Sequence, residues 1–490
     1  MGSTCMAPSG TAATSEKKLG SEFEPSPWGD FFIEYEPKPQ QRSEEWMMTR
    51  ADKLKEDVHM MFNRSNSTNG IFLLDTLQHL GIDHLFEEQI HNTLSKTLEN
   101  KLTSSASLHE EALRFRLLRE HGHWVSPDVF NKFKGEDGTF KKDITSQPNG
   151  LLSLYNAAHL LIHGEPALEE AISFARHHLE LLSGSLMSPL AQQVKRALHR
   201  SLPRSCKRVE TLHYISEYGE EEGHNPVLLE LAKLDFNLLQ HVHLKELKAI
   251  TEWWKNIYDH IGLSYIRDRV VESYTWAYVI YYERCFELPR IIITKMMLLI
   301  TILDDTYDTH GTIEECRKLY EAVQRWDDSA VSLLPEYLKK FYIELLRTFK
   351  NIEGEMPVDI NYDIAHLKKA VQNNVTGYLQ EAEWSHKNHK PRFIDQRGKC
   401  NNDVASSVDC YINEYSVTSD VAIARIGSLM EDEWRTLNQA RFGNRVLLPA
   451  MQRIISLALS ASFIYDNRND AYTASKHLQK TIERLFIKPM

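Results

Sequence analysis

The segment "RIIITKMMLLITILDDTYD", residues 290–308, decides how the chain folds. It is a long apolar run with three acids at its end, Asp304, Asp305 and Asp308. Lys295 interrupts the run, which is too short and too polar for a membrane span, so the pattern predicts a buried helix of a globular protein. A buried helix should not end in paired acids unless something neutralises them, so these carboxylates need a partner.

The rest of the chain is also dominated by helical periodicity. Residues 188–202 carry an apolar stripe, and 225–254 form a long amphipathic run, whereas alternating strand patterns with hairpin turns are missing. We therefore predict an all-α fold. The segment 203–226 is polar and is bounded by prolines, so it is the best candidate for a linker or a domain boundary. The predicted divisions are a disordered tail at 1–22, an N-terminal helical domain at 23–224 and a C-terminal catalytic domain at 225–490.

Composition narrows the classes of function. The chain has 490 residues, 42% apolar and 26% charged, with a net charge of −11, which argues against nucleic acid as the main partner. Six scattered cysteines without a CxxC pair favour an intracellular protein without a disulfide framework or a zinc site. The first residues show neither a signal nor a transit pattern, so we expect a cytoplasmic location without a membrane span.

The acids at the end of the apolar run are candidate metal ligands. On an α-helix, positions four apart share a face, so Asp304 and Asp308 would point the same way. Asp305 would be rotated from them by about 100° around the helix axis. Mg²⁺ prefers oxygen ligands and often completes its shell with water and substrate phosphates. The alternative is structural, with Asp304 or Asp305 capping the next helix and Asp308 solvated.

A basic and aromatic segment lies upstream. Arg267 and Arg269 could bind a departing diphosphate, because a guanidinium stays charged and binds phosphate oxygens in pairs. Their alternative role is a surface pair on either side of Asp268. The following aromatic residues are usually core, but rings that face a pocket can stabilise a cation. The aromatic set comprises Tyr274, Trp276, Tyr278, Tyr281 and Tyr282.

An arginine pair, an aromatic helix and then DDxxD on an apolar helix closely resemble the plant class I terpene synthases, in particular the cytosolic sesquiterpene synthases. Further segments resemble the same family over nearly the whole chain. They are "FEPSPWGDFF" (23–32), "LRFRLLREHGHWVSPDVFNKFK" (113–134), "LLELAKLDFNLLQHVHLKEL" (228–247) and "NDAYTASKHLQKTIERLFIKP" (469–489).

The resemblance implies two helical domains, of which the C-terminal one carries the chemistry and the N-terminal one is a relict helical barrel. It implies Mg²⁺, with Mn²⁺ as an alternative, and a monomer that uses farnesyl diphosphate, with geranyl diphosphate as the second choice. The residues implied as ligands of the metal are Asp304 and Asp308, with Asp305 assisting. The residues implied for substrate binding and catalysis are Arg267 and Arg269 for diphosphate, Trp276 for the cation pocket, and Asp470 and Tyr472 on a closing loop.

The chain departs from the family at the second metal motif, (N/D)Dxx(S/T)xxxE. The nearest match is "NDVASSVDC" (402–410), which has Cys410 where the motif needs Glu. Two segments that the family separates by some tens of residues meet near 393–396. We therefore predict an internal deletion that removes several active-site helices and the second metal motif.

Two functional readings follow. The first is an Mg²⁺-dependent sesquiterpene synthase that releases diphosphate. The second is an impaired or inactive variant of the same family, arising from splicing or a gene model, which releases little volatile hydrocarbon from farnesyl diphosphate. An unrelated helical scaffold is a third reading, and it requires that the arginine–aromatic–aspartate series be coincidence.

Overall fold

The computed structural model of the chain describes six stretches, residues 23–37, 43–99, 106–356, 361–393, 406–466 and 469–490. Within them the chain is helical and contains no strand, apart from one isolated bridge between Lys134 and Phe140. The predicted all-α fold is confirmed. The predicted tail at 1–22 lies outside the described residues.

The described chain consists mainly of α-helices. In chain order they are α1 Phe31–Glu34, α2 Glu44–Arg64, α3 Ser67–His79, α4 Glu87–Glu99, α5 Leu108–Glu120, α6 Pro148–Ala158, α7 Pro166–Leu182, α8 Leu190–His199, α9 Lys207–Glu220, α10 Pro226–Ile261, α11 Val270–Ile280, α12 Glu287–Asp305, α13 Ile313–Arg325, α14 Glu336–Glu355, α15 Asn361–His386, α16 Ser407–Tyr415, α17 Ser419–Ala440, α18 Leu448–Ile464 and α19 Gln479–Ile482. None of the described helices combines the length and the hydrophobicity that a membrane span requires.

The described chain forms two compact units. The first comprises residues 23–26, 253–268 and 295–424 as far as they are described, and the second comprises 27–252, 269–294 and 425–490. The predicted domain boundary at residue 225 remains a prediction.

Helix α5 is the centre of the N-terminal part of the second unit. It packs on α6, which packs in turn on α7. Arg119 on α5 is fully buried, and its guanidinium forms a bidentate salt bridge with Glu165 at 2.6 and 2.8 Å. It also donates to the carbonyl of Val125. The buried positive charge of Arg119 is therefore compensated by a carboxylate and by hydrogen bonds.

Two histidines in the same core are neutral. The Nε2 atom of His121 lies 3.0 Å from the amide nitrogen of Gln78, which donates to it. His159 donates from Nδ1 to the carbonyl of Tyr155 at 2.7 Å. Burial lowers the pKa of each of these histidines to about 4, because the protonated ring would lose its hydration there.

This burial predicts a loss of stability in mild acid. Below pH about 6.5 the unfolded chain protonates both histidines while the folded chain does not, so the free energy of unfolding falls by about 2 kcal/mol for each between pH 7 and 5. His79, whose pKa is raised by Asp75 against the effect of burial, contributes in the opposite direction. Urea denaturation at both pH values measures the loss.

His121→Gln is the matched variant for this prediction. An amide oxygen can still accept from Gln78 but does not titrate. We expect the difference in unfolding free energy between pH 7 and 5 to shrink by about 2 kcal/mol. An unchanged pH dependence in this variant would exclude His121 as its source.

Candidate active site

The acids lie where a buried helix ends. On α12, Leu298, Leu299, Ile302 and Leu303 are fully buried, so the apolar run is core, as predicted. The α-helix ends at Asp305, which is itself 1% exposed.

A π-helical turn, Thr306–His310, follows directly and contains Asp308. The hydroxyl of Tyr307 donates to the carbonyl of Cys316, and Gly311 closes the turn on the carbonyl of Thr306 at 2.7 Å. A π-turn holds more residues per turn than an α-helix, and such turns are frequent at functional sites. The assumption that α-helical register continues from Asp304 to Asp308 is therefore wrong.

Arg267 pairs with two of the three acids. One guanidinium nitrogen lies 2.7 Å from an oxygen of Asp304 and 2.7 Å from an oxygen of Asp305. The backbone nitrogen of Arg267 also donates to Asp305 at 2.7 Å. This answers the question raised by the sequence, because a guanidinium neutralises part of the buried charge.

Further contacts attach the loop that carries Arg267 to the π-helical turn at the C-terminal end of α12. The hydroxyl of Tyr265 hydrogen-bonds that of Thr306 at 2.9 Å, and its ring stacks on His310 at 3.9 Å. The indole of Trp254 donates to Asp268 at 2.9 Å. The arginine is thus positioned by both ends of its loop.

The donor set suits a hard divalent cation. The Asp304 side chain is 19% exposed and Asp308 is half-buried, whereas the Asp305 side chain is 2% exposed and serves the Arg267 loop. Across the described ranges, no group of three or more His, Cys, Asp or Glu side chains is arranged to hold a metal ion. One or two carboxylates with water and phosphate are what Mg²⁺ usually takes, so the residues fit that ion.

The remaining predicted site residues come together in the second unit. Arg269 precedes α11, is fully buried, and donates to the carbonyls of Tyr472 and Thr473 at 2.8 Å each. Asp470 accepts from the backbone nitrogens of the same two residues at 2.9 and 3.0 Å. Arg269 and Asp470 therefore hold one tight turn from opposite sides.

Trp276 lies in an aromatic cluster of this unit. Its ring centroid is 5.9 Å from that of Tyr472 and 5.9 Å from that of Tyr465, both edge to face. Tyr465 ends α18, which packs on α11. Sequence reasoning missed Tyr465, although an aromatic residue at the end of an apolar helix, five residues before Asp470, was an available signal.

The sequence analysis also missed a buried polar network that includes Tyr274 of α11. Arg290, fully buried, forms a bidentate salt bridge with Glu246 at 2.6 and 2.8 Å and donates to the carbonyls of Tyr281 and Glu283. Tyr274 donates to Glu246 at 2.7 Å. The available signals were an arginine at the start of an oily run and a glutamate inside a long helix.

The segment that imitates the second metal motif has a local structural use. Ser406 and Asp409 form a reciprocal capping box at the start of α16, and Cys410 is buried. Asn402 and most of the predicted junction, from residue 394, lie outside the described residues.

Comparison with known proteins now identifies the family. The family model "Terpene synthase, N-terminal domain" matches residues 27–198, and "Terpene synthase family, metal binding domain" matches 255–397. Tau-cadinol synthase of Zea mays is 45% identical, over 95% of this chain and 97% of that protein, and (S)-beta-bisabolene synthase of Zingiber officinale is 36% identical, over 96% of each. The chain belongs to the terpene synthase family, and its sequence relatives are plant sesquiterpene synthases.

Solved structures agree with the fold. Isoprene synthase from grey poplar, in complex with three Mg²⁺ ions and dimethylallyl-S-thiolodiphosphate, has a TM-score of 0.84 at 27% identity, over 92% of this chain and 99% of that one. Limonene synthase with 2-fluorolinalyl diphosphate has a TM-score of 0.85 at 26% identity, over 96% and 99%. This chain is a lyase of a family that acts on prenyl diphosphates and depends on a divalent metal. The third interpretation, that the chain is an unrelated helical scaffold, is therefore wrong.

The comparisons also support the internal deletion. The alignment with tau-cadinol synthase has 531 positions, but 95% of 490 residues is only about 466, so about 65 positions of the relative have no counterpart here. The match to the metal-binding domain ends at residue 397, close to the junction predicted from sequence.

Proposed function

We propose that the chain is an Mg²⁺-dependent sesquiterpene synthase that ionises farnesyl diphosphate and releases diphosphate. The observation that carries this proposal is the cluster of Asp304, Asp305 and Arg267 at the end of a buried helix, inside the match to the family's metal-binding domain. The identity to sesquiterpene synthases favours the C15 substrate over geranyl diphosphate and an active chain over an inactive one.

Each site residue has a proposed part. Asp304 and Asp308 hold the metal, and Asp305 assists by anchoring the Arg267 loop. Bound Mg²⁺ would neutralise negative charge on the departing diphosphate. Arg267 and Arg269 bind the diphosphate oxygens, since guanidinium groups pair well with them.

The aromatic cluster has a separate part. The ring face of Trp276 stabilises the allylic cation, and Tyr472 supports that ring from the turn that Asp470 and Arg269 hold. We also propose that the chain acts as a monomer in the cytoplasm, as the resemblance implies. Size-exclusion chromatography of the purified chain tests the first of these two statements.

The proposed function is tested by release of diphosphate. We expect release from farnesyl diphosphate with Mg²⁺, loss of release with EDTA, and partial recovery with Mn²⁺. Geranyl diphosphate in the same assay should give a lower kcat/KM. No metal-dependent release from either substrate would contradict the proposal.

Trp276 offers a graded test of cation stabilisation. Trp276→Ala should lower kcat/KM by about twofold to thirtyfold, which corresponds to about 0.5–2 kcal/mol for one ring. Trp276→Phe keeps a ring face and should lose less. Steady-state kinetics measures both, with thermal denaturation alongside to detect loss of folding. Equal losses in the two variants would argue that packing, and not the ring face, is what matters.

A further inference from the structure

Tyr265 contacts both ends of the π-helical turn that carries Asp308. The turn comprises Thr306–His310, so Asp308 is its middle residue. At the first residue of the turn, the hydroxyl of Tyr265 lies 2.9 Å from that of Thr306. At the last residue, the ring of Tyr265 stacks on that of His310, with centroids 3.9 Å apart and an angle of 6° between the planes. One side chain of the same compact unit therefore braces the whole turn.

A second hydrogen bond fixes the direction of the bond between Tyr265 and Thr306. The Thr306 hydroxyl donates to the carbonyl of Ile302, four residues earlier on α12, at 2.7 Å. A hydroxyl has one proton, so Thr306 can only accept from Tyr265. Burial raises the pKa of the Tyr265 hydroxyl, because a phenolate would lose its hydration there, so the group keeps the proton that it donates.

This chain of hydrogen bonds lies where the helix changes its geometry. Helix α12 ends at Asp305, and the π-helical turn begins at Thr306, which is 1% exposed. A buried hydroxyl that loses a bond cannot replace it with water, so removal of Tyr265 would be costly at this residue. A π-turn holds more residues per turn than an α-helix, so its formation decides where the side chain of Asp308 lies relative to that of Asp304.

We infer that Tyr265 is a positioning residue for the metal site, because it holds the π-helical turn and thereby fixes Asp308 relative to Asp304. The inference rests on the proposed function, in which these two carboxylates hold Mg²⁺. Tyr265 acts through the turn and needs no contact with the ion or with the substrate. Its loss should therefore weaken metal binding more than it slows the reaction at saturating metal.

The test compares Tyr265→Phe and Tyr265→Leu with the parent chain. Phenylalanine keeps the stacked ring and removes the hydroxyl, whereas leucine removes both contacts. The Mg²⁺ concentration for half-maximal diphosphate release from farnesyl diphosphate should rise about threefold to tenfold for the first variant and about tenfold to a hundredfold for the second. The value of kcat at saturating Mg²⁺ should stay within about threefold of that of the parent chain.

Metal binding provides a second readout that needs no turnover. Titration with Mn²⁺ in the presence of inorganic diphosphate is followed by electron paramagnetic resonance, and a protein-free blank corrects for the complex of the two. The dissociation constant of Mn²⁺ should rise in the same order as the Mg²⁺ requirement. Thermal denaturation of each variant shows whether it is folded at the assay temperature.

Tyr320→Phe is the matched control. Tyr320 lies half-buried on α13 of the same unit, and none of the described residues forms a hydrogen bond with its hydroxyl. The substitution removes a tyrosine hydroxyl without touching the π-helical turn. It should leave both the Mg²⁺ requirement and the dissociation constant of Mn²⁺ unchanged.

The results separate the inference from the proposed function. If the parent chain releases diphosphate and both Tyr265 variants keep its metal requirement, the inference is overturned and the proposed function stands. A lower kcat at an unchanged metal requirement overturns the inference too, because Tyr265 would then act on the fold or on the substrate. A parent chain that binds Mn²⁺ but releases no diphosphate contradicts the proposed function, and the Mn²⁺ titration still decides the inference. A parent chain that does neither contradicts both.

Discussion

Asp304→Asn is expected to lower kcat/KM for metal-dependent diphosphate release by roughly two to three orders of magnitude. The amide has the shape of the carboxylate but no charge for a divalent cation, and Arg267 would lose its ion pair with Asp304. The apparent Mg²⁺ requirement should rise as well. Release of diphosphate over a series of Mg²⁺ concentrations measures both changes.

Two further substitutions make this result specific. Asp328→Asn changes an exposed acid of the same unit and should leave activity within twofold of the parent chain. Asp305→Asn removes the charge that anchors the Arg267 loop, so it should lower the unfolding temperature, which Asp304→Asn should affect less. Near-normal activity of Asp304→Asn would remove this carboxylate from the proposed metal site.

Glu246→Gln is expected to lower the free energy of unfolding by about 3–5 kcal/mol. Arg290 is fully buried, and the substitution would leave its guanidinium without a charged partner in the core. Tyr274 would lose its charged acceptor, so α11 would be held less firmly. Urea denaturation followed by circular dichroism measures the loss.

A double substitution distinguishes a buried charge from simple loss of contacts. Glu246→Leu with Arg290→Met removes both charges and should destabilise the chain by less than the sum of the two single changes. Arg317→Ala, which breaks the exposed pairs of Arg317 with Glu314 and Glu383, should have little measurable effect. Equal effects of the exposed and the buried substitution would contradict the importance of burial.

Periodicity was sufficient to predict the fold. The apolar runs around 188–202 and 225–254 repeat at helical spacing. Helix α8 covers most of the first run, and α10 covers nearly all of the second. The buried end of the oily run was predictable as well, because acids after an apolar stretch need a neutralising partner, and Arg267 is that partner. These inferences succeed because they depend on neighbours within a few turns or on one strong charge requirement.

The details of the candidate site depended on contacts that spacing does not contain. Nothing in "DDTYD" shows that the helix changes to a π-turn after Asp305, since the contacts that hold it come from Cys316 and Gly311. Arg269 was interpreted as a partner of phosphate, and the sequence did not show that its guanidinium also donates to a turn about 200 residues later in the chain. Such long-range pairs are set by packing and not by local pattern.

The half-exposed apolar side chains of Leu447, Ile454 and Tyr465 along α18 also have a consequence for the abundance of the protein in a cell. Surfaces of this kind are what chaperones recognise on incomplete chains, and they promote aggregation at high concentration. The steady-state amount of this protein should therefore depend more on chaperone capacity and proteolysis than on its transcript level. A plant or a host that expresses the chain would regulate it through its lifetime.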